Sequence, residues 1–129
     1  MLDHVGFAVA DAERSKRFYE QALAPLGLSL VMSVTAEQTQ SEGTAHGFGT
    51  KNNPFFWIGD NERVGEGSHV AFKVENRGLV DAFHVAALAA GGRDNGAPGL
   101  RPHYHPDYYA AFVFDPDGIN VEAVCHRPE

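Results

Sequence analysis

Cysteine is almost absent from this chain. Cys125 is the only one in 129 residues, which excludes an intrachain disulfide and suits a reducing compartment. Basic residues are scarce as well: ten Lys and Arg stand against seventeen Asp and Glu, a formal net charge of −7. Such a balance supplies no cationic stripe for nucleic-acid phosphates or an anionic membrane, so neither partner is expected. No stretch approaches ~18 consecutive apolar residues, so no membrane-spanning helix is expected. The opening MLDHVGFAV lacks the basic n-region of a secretory leader, which makes the cytoplasm the expected location. What remains is ordinary globular material, 43% hydrophobic and 21% charged, at a length that suits one domain.

A repeat organises it. Residues 4–9 read HVGFAV and residues 69–74 read HVAFKV, a displacement of 69 − 4 = 65. At that offset Val5, Phe7 and Val9 match Val70, Phe72 and Val74. Phe18, Ala22, Leu23, Ala24 and Gly27 then match Phe83, Ala87, Leu88, Ala89 and Gly92, with no gap. A repeat of this length dictates the architecture, here two copies of one module.

Period-2 alternation predicts a strand over Leu2–Val9, and Asp11 is a suitable N-cap for a helix over residues 11–24 that Pro25 and Gly27 end. Strands are expected over residues 28–35, 45–50 and 54–59, with the polar 36–44 segment as loop or strand margin. NERVGEGS is linker-like. The second copy repeats the order: strand 69–74, helix 79–90 ending at Gly91–Gly92, an irregular segment RDNGAPGLRPHYHPD, and two strands around DPDG, where Pro presets φ and Gly accepts a positive one. The expected fold is α+β: two βαβββ modules in pseudo-two-fold arrangement forming a cup-shaped mixed sheet. Module one covers 1–60, the linker 61–67 and module two 68–129, all in a single domain.

The repeat makes His4 and His69 equivalent, each on the strand face opposite the Phe and Val residues. Applied to the last strand, it pairs Glu122 with position 122 − 65 = 57, which is Trp57. His4, His69 and Glu122 form a candidate facial set, and two imidazoles with one carboxylate suit one divalent cation: Fe, Mn, Zn or Ni. A buried Glu122 without a partner would be costly, so its burial would favour a cation there. The ordinary alternative for a strand-initial His is a structural or partly exposed side chain, and for Glu122 a hydrogen bond to Asn120 or a histidine.

The paired modules, His4, His69 and the terminal DPDGINVEAV with Glu122 resemble the vicinal oxygen chelate superfamily over essentially the whole chain. That group includes glyoxalase I, extradiol dioxygenases, fosfomycin-resistance thiol transferases and bleomycin-resistance proteins. The resemblance implies a metal held by His4, His69 and Glu122 in a cup that binds two adjacent oxygens of a small-molecule substrate, and a homodimer. Trp57 departs from the glyoxalase I pattern, which places another carboxylate there. This favours a dioxygenase-like or thiol-transferase-like enzyme over glyoxalase I. The alternative is a metal-free small-molecule binding protein of the bleomycin-resistance type.

In PHYHPDYY, His103, His105 and Tyr109 are the proton-transfer candidates, and Tyr104 and Tyr108 are further hydrogen-bonding candidates. Trp57 and Lys73 are the substrate-binding candidates, Lys73 because it shares the His69 face; its ordinary alternative is a chain snorkelling to solvent. His46, His84 and His126 read as structural or exposed, and Cys125 as packing.

Overall fold

Two sheets of identical strand order share one core. The computed structural model describes residues 1–39 and 43–129. Module one runs β1 (Val5–Ala8), α1 (Ala12–Leu23), a 3-10 turn (Ala24–Leu26), β2 (Ser29–Val34), the short α2 (Ala36–Thr39), β3 (Ala45–Thr50) and β4 (Asn53–Gly59). Module two runs β5 (His69–Lys73), α3 (Arg77–Ala89), β6 (Arg93–Leu100), β7 (Tyr109–Phe114) and β8 (Asn120–Cys125). The sheets are ordered β1-β4-β3-β2 and β5-β8-β7-β6, each with one parallel pair and two antiparallel ones.

The 65-residue offset holds in the hydrogen-bond register. Gly6 faces Trp57 across the β1–β4 pair, and Ala71 faces Glu122 across β5–β8. It also holds at the helix starts. Asp11 caps α1 by accepting from the Arg14 N–H, and Asn76, 76 − 11 = 65 residues on, caps α3 by accepting from the Leu79 N–H. Both caps free a side-chain oxygen for an otherwise orphaned helix donor, so duplicated caps fix duplicated helices.

Two expectations change. Ala36–Thr39 forms a helical turn within the segment read as loop or strand margin, whose residues 40–42 lie outside the described ones. Arg93–Leu100 is a strand, where an irregular segment was expected. Among the described strands it is an edge strand that pairs only with β7, with register shifts between Asp94 and Gly96 and between Gly96 and Gly99. An edge position tolerates Pro98 and the glycines, which would break a central strand.

α1 and α3 pack on each other, and the Phe/Val faces of both sheets close over them into one cluster that includes Phe18, Phe56, Phe72, Phe83, Val113 and Val121. Phe56 and Phe72 meet edge-on across the modules at 5.3 Å. The β7–β8 turn adds a polar clasp. Asp115 is 2% exposed; its carboxylate accepts from the Tyr19 hydroxyl of α1 at 2.7 Å and from the Ile119 and Asp117 N–H groups. Asp117 accepts from Arg14 at 2.8 Å and from the Ala10 N–H. The turn closes with Gly118 N–H donating to the Asp115 carbonyl, and Gly118 takes φ 84°, a conformation that a Cβ disfavours. Because the core faces point inward to shared helices, the opposite faces of both sheets remain on the outside of the single chain.

Candidate metal centre

Glu122 lies in the middle of the outer face of sheet two, yet its side chain is only 3% exposed. Three neighbours cover it. The His69 Nε2 lies 3.1 Å from Oε1, the Tyr108 hydroxyl donates to Oε2, and Phe112 stands directly opposite on β7. The His69 ring stacks along Phe112, with centroids 6.4 Å apart. The His69 Nδ1 is 2.9 Å from the Asn120 carbonyl, which can only accept, so Nδ1 carries the proton. In the neutral imidazole, Nε2 then presents its lone pair to the Glu122 oxygen. Two acceptors facing each other need a proton or a cation between them. Cis ligands about 2.1 Å from a shared divalent ion lie about 3.0 Å apart, so the observed edge fits such an ion. The carbonyl bond to Nδ1 is the kind of support that orients ligating histidines.

His4 is the equivalent residue in sheet one. Its Nδ1 pairs with Asp3 Oδ1 at 2.8 Å, and the ring is exposed. It shares an open hollow with Gly6, Asn53, Pro54 and Trp57. The Trp57 indole crosses β3 over Gly47, where a Cβ would stand 2.9 Å from the ring, so only glycine lets the indole lie there. Within one chain His4 does not join His69 and Glu122: among the described residues no three His, Cys, Asp or Glu side chains converge to hold a metal.

The loop before β7 covers Glu122 from above. Burial, then the hydrogen bond to Glu122, push the Tyr108 phenol up to about 12, so it remains a donor at neutral pH. Tyr108 meets the rings of Tyr104, His105 and His126 at 4.9, 5.4 and 5.2 Å. The Asp107 N–H donates to His105 Nδ1, so His105 Nε2–H donates to His126 Nδ1 at 2.6 Å. His103 packs on Tyr104 at the exposed rim, with centroids 4.2 Å apart. Tyr109 points to the other face, where its hydroxyl donates to Asp81 on α3 at 2.7 Å and Arg77 lies over its ring. Lys73 is exposed on β5 beside a groove with Leu26, Leu28, Phe55 and Leu79. His84 pairs with Asp94, and His46 is buried against Ser33, where loss of hydration lowers its pKa.

Tyr108, not Tyr109, thus shares the site. Counting outward from the DPDG turn pairs Phe112 with Glu122, and period 2 then carries the same face to Tyr108; that signal was present in the sequence.

The family model of the Glyoxalase/Bleomycin resistance protein/Dioxygenase superfamily matches residues 1–123, and the chain belongs to that superfamily. A glyoxalase/bleomycin resistance protein from Albidiferax ferrireducens T118 is 30% identical, with TM-score 0.72 and 97% of each chain covered. An E144Q mutant of glyoxalase I from Zea mays is 26% identical, with TM-score 0.73, over 95% of this chain and 46% of that one, so this chain spans about half of the maize enzyme. A glyoxylase/bleomycin resistance protein/dioxygenase domain from Frankia sp. EAN1pec shares the fold at 17% identity and TM-score 0.74. No curated protein matches.

Proposed function

We propose that the protein is a metal-dependent enzyme acting on a small molecule through two vicinal oxygens, dioxygenase-like or thiol-transferase-like rather than glyoxalase I-like. The observation that carries this reading is the buried Glu122 carboxylate facing an imidazole whose other nitrogen is already engaged. The ligand set is His69 and Glu122 of one copy with His4 of a second copy in a homodimer. β1 and β5 each lie at the end of their sheet with one edge unpaired among the described strands, so two copies have complementary edges to join.

A divalent cation bound there supplies Lewis-acid polarisation of the substrate oxygens. The chain's own residues do the rest. Tyr108 ties down Glu122 Oε2 and leaves Oε1 beside His69 Nε2. Phe112 and Trp57 exclude water from the two walls. His105 and His126, sharing one proton next to Tyr108, are the proton carriers nearest the site, with His103 at its rim. Tyr109, tied to Asp81, braces β7 against α3.

Anaerobic calorimetric titration of chelator-treated protein with Fe(II), Mn(II), Zn(II) and Ni(II) tests the reading. Micromolar or tighter binding, lost in His4→Ala and in Glu122→Ala but kept in His84→Ala, is the expected result. Mixing His4→Ala with His69→Ala protein should restore roughly a quarter of the sites, because one of the two sites in each mixed dimer then has every ligand. A second reading, a metal-free carrier of planar ligands, is favoured by one observation: the open indole platform of Trp57 over Gly47. Failure of the unaltered protein to bind any of the four metals decides for it.

A further inference from the structure

Sheet two carries two arginines to which the metal centre gives no task. Arg93 begins β6 opposite Phe114 of β7, and Arg101 follows its end. Each guanidinium lies on a phenyl ring: the Arg93 Cζ is 4.9 Å from the Phe114 centroid and the Arg101 Cζ is 5.4 Å from that of Phe112. Both rings belong to the Glu122 face, since Phe112 stands opposite Glu122 and Phe114 opposite Asn120. Arg14, Arg17, Arg77 and Arg127 pair with carboxylates, but among the described residues Arg93 and Arg101 do not. In a chain with seventeen acidic side chains, two arginines without acidic partners, each laid on a phenyl ring of the candidate site's face that also carries Lys73, are conspicuous.

Arg101 is also held in place. Its Nη1 donates to the Gly99 carbonyl at 2.7 Å and its Nη2 to the Ala97 carbonyl at 2.9 Å, which fixes the guanidinium plane. Five N–H donors minus these two leaves three for a ligand. Its backbone N–H donates to the Tyr108 carbonyl at 2.7 Å, joining it to the residue whose hydroxyl holds Glu122. A half-buried guanidinium, already ordered and with spare donors, is a preformed receptor for a planar oxyanion.

The geometry points to a substrate that carries a carboxylate: its vicinal oxygens at His69 and Glu122, its body along Phe112, and its carboxylate on Arg101, with Arg93 adding attraction from the next ring along. This rests on the metal-centre reading for where the oxygens go; the arginine contact does not need the metal.

Matched probes separate the two. 3,4-Dihydroxybenzoate and its methyl ester offer the same ring and diol and differ in charge. They are titrated calorimetrically into Mn(II)-loaded and metal-free protein, and into the Arg101→Met, Arg101→Lys and Arg93→Met variants. The acid is expected to bind roughly 10- to 100-fold tighter than the ester, as a charge-assisted hydrogen bond to a carboxylate would give. Arg101→Met should remove most of that preference, keeping only the smaller share Arg93 supplies, and leave ester affinity unchanged, and added salt should weaken the acid alone. Arg101→Lys keeps the charge without the fork and should retain part of the preference. Arg93→Met breaks no side-chain hydrogen bond among the described residues and should reduce the preference severalfold, so the argument survives if Arg101→Met misfolds. Equal binding of acid and ester by the unaltered protein, or a full preference in folded Arg101→Met, overturns the proposal, as does binding of neither probe to either form. Mn(II)-independent affinity with the acid preference intact would overturn the metal-centre reading while upholding Arg101.

Discussion

Replacing Tyr108 with Phe removes one oxygen and little else. The ring contacts with Tyr104, His105 and His126 at 4.9, 5.4 and 5.2 Å stay available, so the loop over Glu122 keeps its packing. What is lost is the donor to Oε2 of a carboxylate whose side chain is 3% exposed. Water has little access to substitute for it, and a hydrogen bond to a charged group is worth about 1.5–3 kcal/mol. Two effects on a bound cation oppose each other. Loss of the donor makes the carboxylate a slightly better electron donor, yet frees it to rotate away from the 3.1 Å edge with His69. Orientation should dominate, because groups that support metal ligands typically change affinity by about 10–100-fold. Calorimetric titration of Tyr108→Phe with Mn(II) and Zn(II), beside urea unfolding of the metal-free protein, should therefore show weaker metal binding by that factor and a stability loss of about 2 kcal/mol. Unchanged metal affinity with lowered stability would make Tyr108 a strut of the loop only. Tighter binding would mean that its hydroxyl competes with the cation for Glu122.

Other consequences are open to measurement. Tyr19→Phe deprives the buried Asp115 of its 2.7 Å donor and should lower stability by about 2 kcal/mol, a fall in Tm of roughly 5–10 °C by calorimetry. Tyr108, raised from 10.0 to about 12, and Tyr19, raised by burial, keep their protons in the folded chain where the unfolded chain loses them. That stabilisation is complete below about pH 10 and is lost as pH rises through the folded values, so urea midpoints should drop between about pH 10 and about pH 12, and less steeply in Tyr108→Phe. Trp57→Glu places a second carboxylate at the position equivalent to Glu122 and should raise affinity for a six-coordinate cation such as Mn(II) in calorimetry; no gain would remove position 57 from the site.

Much of this architecture could be read from residues 4–9 and 69–74, because a strand's alternation and a constant offset together fix faces and the equivalence of the two modules. The offset makes the Gly6–Trp57 and Ala71–Glu122 pairs equivalent to each other, while the pairing of the first strand with the last comes from the fold. What alternation does not contain is how the two sheets face one another. That depends on the packing of α1 on α3 and on the Asp115 and Asp117 clasp, which turn the two histidine-bearing faces outward. β6 was illegible for a local reason: RDNGAPGL has little intrinsic strand preference, and its conformation is imposed by pairing with β7. Tyr108 was legible by parity from Glu122, but the irregular look of PHYHPDYY obscured the count.

The two modules also show how a repeat can divide labour while preserving a ligand. Where module two has Phe112 and Glu122, module one has Gly47 and Trp57: the aromatic group and the small or polar one have exchanged strands. His69 gets its Nδ1 acceptor from the carbonyl of Asn120, whereas residue 55, equivalent by the offset, does not serve His4. His4 takes Asp3 instead, at 2.8 Å. By different means, both histidines have Nδ1 engaged by an oxygen, so Nε2 is the nitrogen each would offer to a cation. Asp3→Ala isolates that point, since the Asp3 side chain is 93% exposed and its removal should leave Tm unchanged. A metal affinity lower by roughly tenfold in Asp3→Ala, comparable to loss of other groups that orient a ligand, would tie His4 to the centre. An unaltered affinity would mean that the Asp3 contact is incidental and that the parallel between the two histidines stops at their position in the strand.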